Sequence, residues 1–353
     1  MPRNPNIAFI NTLRSALADG VYTSGTLLPS ERKLAADFNV GRGVVRNALR
    51  QLAAEGVVSL IPHRGVSVNS AVSERRFKRF MLCCDHISSN PGEMLSLLSE
   101  ICLAAAKMRA EVLVSFSESG ALELNMDDLA WRIQQDELQG VMIVENCDPE
   151  IAQMLQDRAI PHVMVNQEII YTPGCCRVDH RAVGRMAGAR LLQTRYQNYA
   201  VVSGSLDSLV FKEMLAGFRG ALAEEEVILT KDAVFELPPT FSEENYRQLV
   251  EFLRQMPRPL ALFAMRDSRA EFVYRACQEL DLQIPADVAV IGYDNISWQE
   301  GAAVGLTTIR QPMDELAENA VKMLKAWCES SKQLATATVC GEIIERRSLP
   351  ENA

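Results

Sequence analysis

Short runs of residues that are apolar at every position alternate with segments of helical hydrophobic spacing through most of this chain. Strands of that kind must be covered on both faces, which is typical of parallel sheets whose strands are connected by helices. The strand-like runs are 80–84 (FMLCC), 111–116 (EVLVSF), 140–144 (GVMIV), 162–166 (HVMVN), 199–204 (YAVVSG), 261–265 (ALFAM) and 288–294 (VAVIGYD). The helical segments lie near 93–108, 125–136, 149–158, 180–194, 208–223, 268–281 and 312–329. Because about 270 residues is large for one such sheet, we expect two α/β lobes.

The first seventy residues, here called the headpiece, follow a different pattern of three short helices and a β-hairpin. Apolar residues at helical spacing predict a first helix over 5–19. Ser30 is a suitable N-cap for a second helix that ends near Phe38. A third helix and two strands follow over 41–56, 57–61 and 65–69. Short helices, a tight turn and a hairpin in this order predict a winged helix-turn-helix.

Charge is distributed unevenly between the headpiece and the rest of the chain. The headpiece holds eight Lys and Arg residues against four Asp and Glu, a net charge of +4. The remaining residues hold 28 basic and 41 acidic side chains, and the whole chain has a net charge of −9. The total alone would disfavour a polyanionic partner, but a small basic domain on an acidic body is compatible with binding double-stranded DNA.

Basic side chains recur along the third helix and at the hairpin tip of the headpiece. Three arginines spaced four residues apart lie on one face of that helix, which is narrow enough to enter a major groove and reach guanines or phosphates. The hairpin tip would lie beside the DNA backbone or the minor groove, where glycine permits close approach. These residues are Arg42, Arg46 and Arg50 on the helix and His63, Arg64 and Gly65 at the tip. For any single arginine, a solvated helix face is the alternative.

The headpiece resembles the GntR family of bacterial regulators over residues 5–69. The matching residues are Leu28 to Arg32, Leu34, Ala35, Phe38, Val40, Arg42, Val45, Arg46, Ala48, Leu49, Leu52, Glu55, Gly56 and Arg64 to Val66. The resemblance implies DNA contacts from Arg32, Arg42, Arg46 and the wing at His63–Gly65. Gly41 and Val44 replace a usual Ser and Thr, and Gly43 is a less common choice, so the operator sequence is open. We include Gly43 and Val44 in the predicted interface, since Val44 could touch a thymine methyl group.

Polar residues follow the predicted strands of the larger part of the chain. Ligands of parallel α/β sheets bind at the carboxyl ends of strands or between lobes. The polar candidates are Asp85, His86, Glu145, Asn146, Asp148, Asn166, Arg266, Asp267, Asp294 and Asn295. Phe116, Tyr293 and Trp298 are candidates for stacking on a ligand ring. A loop, cap or core role is the alternative for each of these residues.

This part also resembles the sensor of LacI-type repressors, which has a periplasmic-binding-protein fold. The matching segments are Val178–Asp179, Val201–Gly204, Gly217–Phe218, Phe263–Ala264, Ile284–Asp294 and Leu306–Pro312. The resemblance implies two lobes that close on a small effector, commonly a sugar, and a homodimer formed through the sensor. It assigns the effector-binding Asp to Asp267 and puts Met214 where the family has a sugar-binding Arg. Since Met offers no bidentate donor, Arg266 could supply the guanidinium, or the effector could be a nucleoside, an organic acid or absent.

The charged segment 71–79 (AVSERRFKR) is expected to link a headpiece of residues 1–70 to a sensor of residues 80–349. Four of its basic residues could add phosphate contacts, and a solvated connector is the equal alternative. Those four are Arg75, Arg76, Lys78 and Arg79.

Other functional classes find little support in the sequence. Nine Cys and four His form no zinc-type spacing, so we expect no metal or cofactor and cysteines that act as buried small hydrophobes. The first residues contain no signal-peptide pattern, and no apolar run reaches the roughly 18 residues of a membrane helix, so we expect a cytoplasmic protein. We predict a transcriptional regulator, a repressor with an activator as the open alternative, whose affinity for a DNA operator depends on an effector. An enzyme and a transport-type solute binder are the remote alternatives.

Overall fold

The headpiece folds as the sequence predicts, as a helical core carrying a β-hairpin. The computed structural model describes residues 5–18, 21–22, 25–54, 57–61, 64–68, 77–84, 91–116, 125–144, 148–166, 174–238, 242–296, 304–330 and 335–350. The headpiece elements are α1 (Pro5–Ala18), α2 (Glu31–Asp37), α3 (Arg42–Ala54), β1 (Val58–Ile61) and β2 (Gly65–Val68). Leu13, Leu34, Ala48 and Leu52 are fully buried between the three helices. The winged helix-turn-helix is therefore confirmed.

A short extended segment that the sequence pattern does not reveal fixes the wing to the start of α2. Leu27 forms an antiparallel bridge with Ser67, and the Leu28 amide donates to the Val66 carbonyl at 2.8 Å. Ser30 then caps α2 by accepting a hydrogen bond from the Lys33 amide at 3.3 Å. The segment 25–28 is short and its polar and apolar residues do not alternate, so only its pairing with β2 identifies it as extended.

The first lobe of the larger part is a six-stranded parallel sheet in the order β13-β7-β6-β5-β3-β4. Its strands are β3 (Arg79–Cys84), β4 (Glu111–Phe116), β5 (Gly140–Val144), β6 (His162–Val165), β7 (Cys175–Val178) and β13 (Ala337–Val339). Helices α4 (Pro91–Lys107) and α11 (Met313–Ser330) cover one face, and α5 (Met126–Gln134) and α6 (Pro149–Asp157) cover the other. The apolar strand runs thus lie between two helical layers, as their composition requires.

The second lobe repeats this layering with the strand order β14-β12-β11-β10-β8-β9. Its strands are β8 (Asn198–Ser203), β9 (Val234–Glu236), β10 (Leu260–Ala264), β11 (Val288–Asp294), β12 (Thr307–Arg310) and β14 (Glu342–Ile344). Only β14 runs antiparallel to its neighbour. Helices α7 (His180–Leu192) and α8 (Leu209–Glu224) cover one face, and α9 (Glu243–Gln255) and α10 (Asp267–Glu279) cover the other.

The chain crosses between the lobes three times, which confirms the expectation of two α/β lobes. The crossings follow β7, β12 and β13, so that α11 returns to the first lobe after the second lobe is almost complete. The hydrophobic pattern does not predict β7, β9, β12, β13, β14 or α9. All five of these strands have only three or four residues, and three of them, β9, β13 and β14, lie at sheet edges, where polar side chains interrupt the apolar pattern.

Part of the segment expected to be a linker is packed against the first lobe. Residues 71–76 lie outside the described part of the chain, but Phe77 is buried and its ring stacks on Phe80 at 5.4 Å. Arg79 begins β3 and pairs with Glu111, and Lys78 lies 3.8 Å from Asp136. These two basic side chains therefore have carboxylate neighbours on the lobe but stay largely exposed, and their phosphate contacts stay a prediction.

Most of the described cysteines are buried, as expected. Six of the eight lie in the interior, and Cys102 and Cys340 are exposed. No helix among the described residues is both long and apolar enough to cross a membrane.

Helices α7 and α8 pack backbone to backbone at two glycines. A Cβ atom built on Gly184 would lie 1.9 Å from the Met214 carbonyl oxygen, and one on Gly217 would lie 1.9 Å from that of Arg181. Real side chains do not tolerate such distances, and backbone atoms cannot rotate away. Glycine at these two positions is therefore what allows the helices to approach so closely.

We expect Gly217→Ala to destabilise the protein by more than about 3 kcal/mol, because the added methyl group forces α7 and α8 apart and strains the packed core. Gly220→Ala is the matched control on the same helix, where the nearest atom is the Arg185 guanidinium at 3.6 Å. That control should gain up to about 1 kcal/mol from helix propensity. Urea denaturation followed by circular dichroism measures both, and equal stability of the two variants would contradict the account.

Candidate nucleic-acid interface and ligand cleft

Helix α3 presents three arginines to solvent on one face. Arg42, Arg46 and Arg50 are all exposed, while Val45 and Leu49 on the opposite face are buried. The Arg46 guanidinium donates hydrogen bonds to Glu31, the first residue of α2, with the shortest at 2.8 Å. About half of the Arg46 side chain (52%) stays exposed. The ion pair therefore orients Arg46 without withdrawing it from the surface.

The charges of all three arginines act on the carboxylate of Glu31. Its pKa is lowered first by the hydrogen bond from Arg46 and further by the positive charges of Arg46, Arg42 and Arg50. One carboxylate thus lies among three guanidinium groups, and the surface keeps a net positive charge. Such a surface favours phosphates and the acceptor-rich edges of guanine.

The other predicted interface residues take varied positions. Arg32 and Arg64 are exposed, and Gly65 has a φ of +115°, which explains why glycine occupies the wing. A Cβ on Gly43 would meet open space, so this position faces outward. Val44 is half-buried against the headpiece core, which limits its reach to a base. His63 lies outside the described residues.

Each sheet has one point where the strand order reverses, and ligands of such sheets bind there. In the first lobe this point lies between β3 and β5, and in the second between β8 and β10. The first-lobe candidates Asp85, His86, Glu145 and Asn146 fall outside the described residues, as does Trp298, and nothing is described of the Phe116 side chain. The described part of the cleft is therefore the side formed by the second lobe.

Arg266 and Asp294 form an ion pair at the carboxyl ends of β10 and β11. The Arg266 guanidinium donates to Asp294 Oδ1 at 3.0 Å, and the Gln311 amide donates to the same oxygen at 2.8 Å. Asp294 has a φ of +116°, a strained conformation of the kind that concentrates at functional loops. Both residues of this pair are candidates from the sequence, and the structure brings them together.

Asp267 lies beneath the cleft rather than on its surface. Its carboxylate is fully buried and accepts hydrogen bonds from Thr308 Oγ1 at 2.7 Å and the Ile296 amide at 3.1 Å. Burial raises the pKa of Asp267 to about 6, and these hydrogen bonds oppose the rise. A Cβ on Gly292 would lie 2.1 Å from Asp267 Oδ1. Asp267 thus ties α10 to β12 and to the loop after β11, and its contact with an effector remains a prediction.

The boundary between the lobes holds a second ion pair and a buried histidine. Arg177, at the end of β7, pairs with Glu213 on α8. His180 begins α7, and its ring meets Tyr293 edge-on at 6.2 Å. The pKa of His180 is lowered to about 3, first by burial and then by the charges of Arg266 and Arg177. This imidazole is therefore neutral at physiological pH, mainly because burial disfavours its charged form.

Two further candidates have structural roles. Met214 is entirely buried within the packed core, and its place in the effector site stays a prediction. Its buried thioether suits the α7–α8 interface better than a charged side chain would. Asp148 caps α6 by accepting a hydrogen bond from the Glu150 amide at 2.8 Å. Asn166 follows β6 with a φ of +55°.

Arg269 is a cleft residue that sequence reasoning misses. It lies in the first turn of α10, and its guanidinium carbon lies 4.9 Å from the ring centroid of Phe211 on α8. A Cβ on Gly204, at the end of β8, would be 2.6 Å from Arg269 Nη2. Burial, then the charge of Arg266, lowers the pKa of Arg269 to about 10. The one sequence signal for this contact is Gly204, whose missing side chain leaves room for the guanidinium of Arg269.

Two family models match separate parts of the chain. The model of bacterial regulatory proteins of the gntR family matches residues 10–68, and that of the periplasmic binding protein-like domain matches residues 188–349. The chain is also 31% identical over 214 residues to the HTH-type transcriptional repressor PurR of Escherichia coli. That match spans 60% of this chain and 62% of the repressor, less than two thirds of its length.

Solved structures of LacI-type regulators share the fold of the two lobes. A LacI family transcriptional regulator from Enterococcus faecium with bound ribose superposes with a TM-score of 0.61 at 22% identity, covering 76% of this chain and 98% of that one. The lac repressor dimer bound to operator also gives a TM-score of 0.61, at 19% identity, covering 77% of this chain and 94% of that one. The two family models thus identify a region of the gntR family type in the headpiece and a periplasmic binding protein-like domain after it, and the solved structures show the same fold for the two lobes.

Proposed function

We propose that this protein is a transcriptional repressor whose affinity for a DNA operator changes when a small molecule binds between its two lobes. The observation that carries the proposal is the exposed arginine face of α3 in a winged helix-turn-helix, on the same chain as a two-lobed α/β domain. The similarity to a repressor named PurR supports the same conclusion.

Helix α3 would enter the major groove with its arginine face towards the bases and phosphates. The ion pair with Glu31 holds Arg46 in one orientation before DNA arrives, which reduces the entropy lost on binding. The wing, fixed to α2 through residues 25–28, would place Arg64 and Gly65 beside the backbone. Phosphate contacts would supply affinity, and base contacts would supply specificity.

The effector would act by changing how the two lobes close on each other. The lobes are joined by three chain crossings and by the Arg177–Glu213 pair, so a ligand that draws them together repositions the first lobe, which carries the headpiece. A coupling of about 1–3 kcal/mol between the sites would change operator affinity roughly 5- to 150-fold.

A homodimer would present two headpieces to a palindromic operator. Helix α4 and the edge strand β4 carry four apolar side chains that are 40% to 65% exposed, Leu95, Leu103, Leu113 and Val114. Apolar exposure of this kind on a sheet edge and its neighbouring helix is typical of a protein interface. We therefore assign the contact between two copies to α4 and β4.

Two chemical classes are candidates for the effector. A sugar is one, since a structural neighbour is a LacI-type regulator with bound ribose. A non-sugar effector such as a nucleoside or an organic acid is the other, and the buried Met214, in place of a sugar-binding arginine, favours it.

We expect Arg46→Ala to weaken binding to a mixed-sequence duplex of about three helical turns, because one guanidinium is removed from the interface. Fluorescence anisotropy at several salt concentrations should show a slope of log Kd against log salt that is smaller by about 0.9. Arg247→Ala is the matched control, since Arg247 is exposed on α9 of the second lobe. If Arg46→Ala and Arg247→Ala bind like the unaltered protein, α3 is not the recognition helix.

We expect Leu103→Asp to convert the dimer to a monomer, because two copies would each bury an unpaired carboxylate at the α4 contact. Light scattering after size-exclusion chromatography measures the mass directly. Ile228→Asp is the control, since Ile228 is 85% exposed on the second lobe. A dimer that survives Leu103→Asp and dissociates in Ile228→Asp would place the interface on the second lobe instead.

A further inference from the structure

Arg269 crosses the carboxyl edge of the second sheet at the point where the strand order reverses. Its backbone lies in α10 on one face of the sheet, and its guanidinium stacks on Phe211 of α8, which covers the other face. The side chain passes over Gly204, where a Cβ would collide with both Phe211 and Arg269. The guanidinium therefore lies in the mouth of the crevice where ligands of such sheets bind.

No carboxylate among the described residues neutralises this guanidinium. Among the described residues, Nη2 of Arg269 donates a long hydrogen bond of 3.4 Å to the Leu237 carbonyl oxygen. Its Nε is buried and has no hydrogen-bond partner in the part of the chain that is described. Asp294, the acidic residue nearby, already accepts hydrogen bonds from Arg266 and Gln311.

Two neighbouring groups bear on this cation. The charge of Arg266 disfavours the Arg269 cation, and the charge of Asp294 favours it more weakly. Ser203, next to Gly204, has a fully buried hydroxyl without a hydrogen-bond partner among the described residues. A half-buried cation with unsatisfied donors costs free energy unless an anion binds to it.

We propose that Arg269 binds a carboxylate or phosphate group of the effector, stacked against Phe211 at the mouth of the second lobe. This inference rests on the proposed function and narrows its effector to an anionic small molecule. Arg266 is unsuited to the role because Asp294 already neutralises it, and Met214 is buried. The guanidinium fork provides two parallel donors, which match the two oxygens of either group.

The substitution Arg269→Met tests the proposal through two effects of opposite sign. Without ligand, the variant should melt at a higher temperature than the unaltered protein, because it replaces an uncompensated cation by a thioether that packs on Phe211. With ligand, it should lose the stabilisation by anions. A group with a merely structural role would destabilise the protein when removed.

The measurement is the melting temperature of the full chain at fixed ionic strength, with chloride as the reference anion. The probes are inorganic phosphate, ribose 5-phosphate against ribose, and gluconate against glucose, so that phosphate and carboxylate are distinguished. A probe at about one hundred times its Kd should raise the melting temperature by several degrees. Arg275→Met is the matched control on the same helix, at an exposed arginine, and should keep the full response.

The proposal is supported if anionic probes, but not their neutral partners, stabilise the unaltered protein and Arg275→Met while leaving Arg269→Met unchanged. It is overturned if ligand-free Arg269→Met melts below the unaltered protein, if it keeps the anion response, or if no anionic probe stabilises the unaltered protein. Arg269→Lys, which keeps the charge, should retain a reduced response to the anionic probes.

Duplex binding separates this proposal from the proposed function. If Arg269→Met binds the mixed-sequence duplex like the unaltered protein while the anion response fails to appear in either, the anion assignment is wrong and the regulator stands. If the unaltered protein does not bind the duplex, the regulator assignment itself fails.

Discussion

The close contact of α7 with α8 positions Phe211 and Glu213 at the cleft and buries Met214. Glycine at 184 and 217 lets the two backbones touch, and that contact fixes α8 relative to the crossing between the lobes. Glu213 can then reach Arg177 of the first lobe, and Phe211 can meet Arg269 from the far side of the sheet. The same packing leaves Met214 in the interior. A packed interface that cannot be loosened gradually is also suited to transmitting a change in lobe position.

In both the headpiece and the sensor, neighbouring groups orient an arginine that stays accessible. In α3, Glu31 orients Arg46 while two more guanidinium groups keep the surface positive. In the cleft, Phe211 and Gly204 orient Arg269 and no described carboxylate neutralises it. The opposite arrangement occurs at Arg266, where Asp294 completes the pair and leaves little attraction for a ligand.

The sequence predicts the larger features well because they depend on composition over many residues. Runs such as 140–144 and 261–265 are apolar throughout, and only a buried parallel sheet accommodates them, so the two lobes follow. The headpiece follows from capping and helical spacing. The short strands β13 and β14 and the extended segment 25–28 are missed, because pairing with distant residues defines them. For the same reason the contact of Arg269 with Phe211 cannot be read from the sequence, since 58 positions of the chain separate two residues that meet across a sheet edge.

The central claim is that a pair of these headpieces recognises a defined DNA sequence. Repeated selection of bound duplexes from a randomised library, followed by sequencing, measures this without knowledge of the operator. The account predicts enrichment of an inverted repeat whose half-sites lie about one helical turn, or a multiple of it, apart. A recovered pool with the same sequence distribution as the input would contradict it.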